Sequence, residues 1–146
     1  MSTKNNRHPK ILIFDSGIGG LSISAEISQH LPQCQIIYSA DNHAYPYGTQ
    51  IESDLIGRVL EVLPLLEEKF SPHVIVIACN SASTLVLEKV RSQTQTPVIG
   101  VVPAIKPAAR TSRTGILGLL ATPGTVERRY TRKLIEEFAA DCTVIK

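Results

Sequence analysis

The stretch from Val74 to Thr84 limits the fold more than any other part of the chain. Val74-Ile75-Val76-Ile77-Ala78 is apolar without a break, and Cys79-Asn80-Ser81-Ala82-Ser83-Thr84 follows it at once. A run of β-branched residues with no polar alternation reads as a strand buried on both faces, which belongs in a parallel sheet covered by helices. The abrupt change to small polar residues reads as a helix start. The rest of the chain repeats this unit. Strands are expected at Lys10–Phe14, Gln35–Ser39, His73–Ala78, Pro97–Val101, Gly115–Leu120 and Cys142–Ile145, and helices at Gly20–Leu31, Ile51–Phe70, Ser81–Arg91 and Thr125–Ala139. In the second helix the apolar residues at 51, 55, 56, 59, 62, 63, 66 and 70 keep a helical period, although Pro64 predicts a kink or an early end. Pro103 to Pro107 predicts a turn into a short helix, and Asp41 to Gln50 a loop.

Regular alternation of strand and helix defines an α/β class with a doubly wound parallel sheet and helices on both faces. Residues 10–100 are expected to form one such domain and 101–146 the opening part of a second, similar but incomplete, since the chain stops as its last strand begins. An unfinished sheet leaves an apolar edge. Association and poor solubility of the 146-residue chain are therefore expected, and a homodimer is one form such association takes.

Composition removes several classes of function. With 15 basic and 13 acidic residues scattered along it, the chain has a net charge of only +2 and no electrostatic footprint for nucleic acid. Its cysteines, Cys34, Cys79 and Cys142, are odd in number and form no CxxC pair, which points to a reducing, cytoplasmic setting and away from zinc. No apolar run approaches membrane-spanning or signal-peptide length, and Met1 to Lys10 is polar and expected to fray.

Parallel strands bring their carboxyl ends to one edge of the sheet, where open α/β folds bind ligands. Three segments meet there: Asp15-Ser16-Gly17-Ile18-Gly19-Gly20, the loop from Asp41 through Tyr45-Pro46-Tyr47-Gly48, and Cys79-Asn80-Ser81. Carboxylate, hydroxyls, amide, thiol and glycine-freed backbone donors together suit a small zwitterion with carboxylate ends. Ser22 stands where a dinucleotide fingerprint needs its third glycine, and no Gly-Lys-Ser/Thr follows, so neither a dinucleotide site nor a P-loop is present. Each piece also has a plainer reading. Asp15 can close an Asx turn, Asn80 and Ser81 can cap a helix, and Cys79 can be a small buried hydrophobe. A thiol at a helix N-terminus, however, can be stabilised as a thiolate and gain nucleophilic or basic character. His8, His30, His43 and His73 show no ligand or triad spacing, and His43 alone falls near this edge.

Asp15-Ser16-Gly17-Ile18-Gly19-Gly20-Leu21, Pro46-Tyr47-Gly48, Ala78-Cys79-Asn80-Ser81-Ala82-Ser83 and Val101-Val102-Pro103-Ala104-Ile105-Lys106-Pro107 occur in the order and spacing of one family. On these four segments, and on Gly118 through Tyr130, the chain resembles the N-terminal part of the glutamate racemases of the aspartate/glutamate racemase family. The resemblance implies cofactor-independent, metal-free interconversion of L- and D-glutamate by two cysteines flanking Cα, supplying D-glutamate for peptidoglycan and the cell wall. It implies that Cys79 exchanges a proton with Cα, that Asp15 assists it, and that Asp15, Ser16, Tyr47, Gly48, Asn80 and Ser81 bind substrate. Ser81 departs from the family's usual threonine. The family's second cysteine lies in a Gly-Cys-Thr-His segment, absent here: Cys142 sits in Asp141-Cys142-Thr143-Val144, and Cys34 lacks the pattern too. The resemblance thus implies an isomerase of which these 146 residues alone are an inactive part. A non-catalytic module binding an acidic amino acid, and an aspartate racemase, are the alternatives.

Overall fold

Strand β1 (Lys10–Asp15) runs through the middle of a four-stranded parallel sheet, with β2 (Gln35–Ala40) on one side and β3 (Val74–Ile77), then β4 (Val98–Gly100), on the other. The computed structural model describes residues 8–146. Of the polar N-terminal stretch expected to fray, Met1 to Arg7 lie outside the described residues, and Lys10 already belongs to β1. Its backbone N–H donates to His73 Nδ1 and its ammonium to the Phe70 carbonyl.

Side chains of β1 and β3 alternate between two cores, as the pleat of a strand requires. Leu12, Phe14, Ile75 and Ile77 pack against helices α2 (Glu52–Phe70) and α3 (Asn80–Gln93), through Leu55, Val59 and Leu63 of the first and Ala82, Val86, Leu87 and Val90 of the second. Ile11, Ile13, Val76 and Ala78 face the other way, toward Ile23 and Ile27 of α1 (Leu21–His30). The sheet is doubly wound, as its unbroken apolar strands predict. Helix α2 continues through Pro64 to Phe70 instead of ending early. Leu63 before the proline and Leu66 and Phe70 after it pack into the same core, while Pro64 itself is exposed. Packing on both sides of the proline outweighs the missing backbone donor.

Beyond β4 the chain forms α4 (Ile105–Thr111), β5 (Ile116–Gly118), α5 (Pro123–Glu127), α6 (Arg129–Phe138) and β6 (Thr143–Ile145). Strands β5 and β6 pair in parallel as a separate sheet, whose small core joins Ile105, Leu117 and Ala139 to Leu134, Ile135 and Phe138. Ile116, Leu120 and Ile145 are exposed, Leu120 completely. The single helix expected over Thr125–Ala139 is broken at Arg128, whose backbone is extended (φ −65°, ψ 146°). There the Arg128 side chain turns inward to donate to the Ser81 carbonyl, to Thr84 Oγ1 at 3.0 Å and to Glu52 Oε1 at 2.8 Å. Tertiary hydrogen bonds to a buried cation thus override local helical periodicity. Among the described residues no helix is long and apolar enough to cross a membrane.

Candidate functional site

The register of the first sheet brings the selected strand ends together. Phe14 pairs with Ile77, the Ala78 N–H donates to the Phe14 carbonyl, and Asp15 pairs with Ala40, so Asp15, Asp41 and Cys79 leave the sheet at the same edge. Cys79 is the last extended residue before α3 and is 8% exposed. Its Sγ lies 3.7 Å from Ser16 Oγ. Thiol and hydroxyl are thus neighbours across the strand ends, on the face of the sheet that carries Phe14 and Ile77.

Asp15 is also buried, and its Oδ1 accepts the Gly17 N–H at 2.8 Å. The Asx-turn reading of Asp15 therefore holds for one carboxylate oxygen. Tyr38 of β2 donates to the Gly17 carbonyl at 2.9 Å, and the Tyr45 ring lies where a Cβ on Gly17 would come within 2.8 Å of it. Gly20 is closed in by the Ala78 and Asp15 side chains, which would stand 2.8 and 3.1 Å from an added Cβ. Close approach requires glycine at 20, where buried Ala78 and Asp15 cannot give way, whereas at 17 an added Cβ meets the exposed Tyr45 ring. Burial, then the Asp15 charge, raises the Tyr38 phenol above its ordinary value and keeps it a donor.

Asn80 opens α3 and is exposed, while Ser81 is buried. The helix-cap reading of these two residues is not met: the N-cap position is Cys79, with no side-chain cap bond. Ser81 Oγ instead lies 3.3 Å from Thr122 Oγ1 and 3.4 Å from Thr125 Oγ1, and those two hydroxyls are 3.0 Å apart. A cleft of about 690 Å³ opens here, lined by Asn80, Ser81, Val102, Ile105, Leu119 and Thr122, among others.

Tyr47 and Gly48 lie in a single 3-10 turn, Tyr47–Thr49, and a second such turn, Asn42–Ala44, precedes it in the loop. The Tyr47 ring packs against Phe14 at 6.3 Å between centroids, and its hydroxyl donates to Asp41 Oδ2 at 2.7 Å. Arg58 of α2 grips the same carboxylate with both ends of its fork, Nε to Oδ2 and Nη2 to Oδ1, each at 2.8 Å. This guanidinium holds the Asp41 carboxyl below the usual carboxylate range. Burial, reinforced by Asp41, raises the Tyr47 phenol. A Cβ on Gly48 would stand 2.6 Å from the Thr122 methyl, so the 47–48 turn touches the loop after β5 directly.

The structure thus gathers Asp15, Ser16 and Cys79 at one edge, sets Asn80 and Ser81 on the adjoining cleft, and brings Gly48 to that cleft through Thr122. Sequence reasoning placed Asp41 at this edge without giving it a role, and missed Arg58, Tyr38, Thr122, Thr125 and Arg128. Thr122 and Thr125 follow a strand end, so the rule that selected Asp15 and the Asp41 loop could have found them. Arg58 and Arg128 carry no local signal, being helix-flank arginines until the fold turns them inward. Among the described residues no three His, Cys, Asp or Glu side chains gather as a metal site.

The chain belongs to the Asp/Glu/Hydantoin racemase family, whose pattern matches residues 21–143. Among its relatives the chain is 49% identical over 143 residues to the glutamate racemase of Klebsiella pneumoniae, a match covering 98% of this chain and 50% of that protein. It is 50% identical over 136 residues to the glutamate racemase of Photorhabdus laumondii, covering 93% and 47%. The Escherichia coli glutamate racemase, solved with L-glutamate and the activator UDP-MurNAc-Ala, superposes with a TM-score of 0.88 at 48% identity over 94% of this chain and 52% of that one. The Aquifex pyrophilus enzyme gives 0.85 at 35% identity, over 93% and 53%. The chain spans about half the length of the relatives it matches.

Proposed function

We propose that the chain is the Cys79-bearing part of a glutamate racemase, which interconverts L- and D-glutamate in the cytoplasm without cofactor or metal and supplies D-glutamate for peptidoglycan. The observation that carries this reading is the pairing of Cys79 Sγ with Ser16 Oγ at 3.7 Å, beside buried Asp15, in a chain with glutamate racemase relatives. Those relatives favour glutamate over aspartate as substrate. Residues 10–100 and 101–146 are read as two lobes, with the cleft at Asn80 and Ser81 between them and the substrate a small molecule, not nucleic acid or a membrane. A homodimer of the whole protein is part of this proposal.

In this scheme Cys79 takes the Cα proton as thiolate, and Asp15 assists that proton's movement through its remaining oxygen. Asn80, Ser81, Ser16 and the Tyr47–Gly48 turn hold the substrate. Hydrogen-bond donors around the substrate carboxylate stabilise the enolate-like charge that develops. Inversion needs a second acid/base group on the opposite face of Cα, and no Gly-Cys-Thr-His segment occurs within these 146 residues.

Proton exchange at Cα tests the scheme. The purified chain is incubated with L-glutamate in deuterated water, with loss of the Cα–H signal followed by NMR and D-glutamate by chiral chromatography. One thiol gives exchange with retention of configuration and no D-glutamate at an enzymatic rate, since a positioned acid/base group is typically worth about 10²–10⁴-fold. Cys79→Ser, nearly isosteric, abolishes that exchange and leaves the fold intact. Undiminished exchange in this variant removes Cys79 from the reaction, and rapid appearance of D-glutamate refutes the need for a second cysteine.

A further inference from the structure

We propose that Asp41 and Arg58, which touch no reacting atom in the scheme above, are positioning residues that set the substrate-binding turn Tyr47–Gly48. The proposal rests on that scheme for the identity of the ligand and for the turn's part in holding it.

The loop from Asp41 to Gln50 has no strand of its own, and two isolated 3-10 turns hold a backbone weakly. Asp41 supplies what the turns lack. Its backbone N–H donates to the Asp15 carbonyl at 2.9 Å, which ties the loop to the end of β1. Its carboxylate, 7% exposed as a residue, takes two donors from Arg58 and one from Tyr47. A chain of contacts then runs from helix α2 to the cleft: Arg58 to Asp41, Asp41 to the Tyr47 hydroxyl, Gly48 against the Thr122 methyl, and Thr122 to Ser81 Oγ. The Arg58 side chain is about one-third exposed and stands outside the buried cluster of Asp15, Ser16 and Cys79. Among the described residues its side-chain hydrogen bonds go to Asp41, which links it to that cluster.

The chemistry explains the residue types. A buried carboxylate must be paired, and only a planar fork can satisfy both oxygens while one of them still receives the tyrosine hydroxyl. Lysine would supply a point charge to one oxygen and leave the carboxylate free to swing. Turning Asp41 turns Tyr47, and Gly48 moves with it.

The test compares the wild-type chain with Arg58→Lys, Arg58→Met and Tyr47→Phe, all measured well below their melting temperatures. Two readouts are followed: the dissociation constant for L-glutamate by calorimetry, and the Tyr47 contribution to near-ultraviolet circular dichroism, taken in each background as the difference made by adding Tyr47→Phe. Arg58→Met is expected to lose the Tyr47 signal and to weaken glutamate binding about 10-fold, because misplaced binding groups are costly even at small displacements. Arg58→Lys keeps the charge and recovers part of both. A purely structural ion pair would lower the melting temperature of Arg58→Met and move neither readout in the molecules that remain folded. A Tyr47 signal retained in full in Arg58→Met overturns the proposal, and so does an unchanged dissociation constant despite a lost signal. If the wild-type chain does not bind glutamate, the scheme that seats the substrate on these residues alone fails, and the dichroism still decides whether Arg58 positions Tyr47.

Discussion

Gly48→Ala is a sharp test of the contact between the 47–48 turn and the loop after β5. The φ of Gly48 lies outside the left-handed region, so alanine meets no backbone strain there. In open space such a change stabilises by about 0.4–1 kcal/mol, because it restricts the unfolded chain. The space is not open. The new Cβ would stand 2.6 Å from Thr122 Cγ2 and 3.2 Å from Thr122 Cβ, against a favourable carbon–carbon separation of about 3.5–4.0 Å. Thr122 is β-branched and stiff at χ1. Turning it away breaks its hydroxyl contacts with Ser81 and Thr125, each worth about 0.5–1.5 kcal/mol. Overpacking of this kind costs about 1–3 kcal/mol, which exceeds the entropic gain. The net expectation is a loss of about 1–2 kcal/mol in urea unfolding followed by circular dichroism, with the denaturant slope unchanged. Thr122→Ser removes the offending methyl and keeps the hydroxyl, so the nearest contact relaxes from 2.6 to 3.2 Å. In the double variant most of the loss should return, as a coupling of about 1 kcal/mol in the double-mutant cycle. A Gly48→Ala chain as stable as its parent, or a coupling below about 0.3 kcal/mol, would refute close contact between these loops.

Two further outcomes follow from the fold. Pro64→Ala restores a backbone donor for the Leu60 carbonyl at an exposed helix position and should raise the urea midpoint, by about 1–3 kcal/mol in stability; a lowered midpoint would show that the proline is needed where it stands. The folded-state pKa of Asp41 lies below its unfolded value, so its pairing with Arg58 contributes fully above about pH 4 and is lost as pH falls through the folded value. Urea midpoints of the wild type should therefore drop more steeply between about pH 5 and pH 2 than those of Asp41→Asn, and parallel curves would remove this carboxylate from acid lability.

Local chemistry determined the layout of this chain. Apolar runs at residues 11–14 and 74–78, each broken by small polar residues, suffice to specify buried parallel strands, and parallel strands bring Asp15, Ser16 and Cys79 to one edge without further information. Those signals are legible because a strand buried on both faces cannot tolerate polar residues, and a change of period marks each junction. Tertiary structure decided what long-range partners control. Pro64 forbids nothing when Leu63, Leu66 and Phe70 are all seated in one core. Thr125 to Ala139 has a helical sequence yet breaks at Arg128, because its guanidinium is used by Glu52, Ser81 and Thr84, far away in the chain. Ser81 resembles a helix cap locally, and only the approach of the loop after β5 turns it toward Thr122 and Thr125. Arg58 reads as a solvated helix residue until the fold delivers a buried carboxylate to it. A buried charge is stable only where its partner is, and that partner's place is a property of the folded chain, not of any one segment of it.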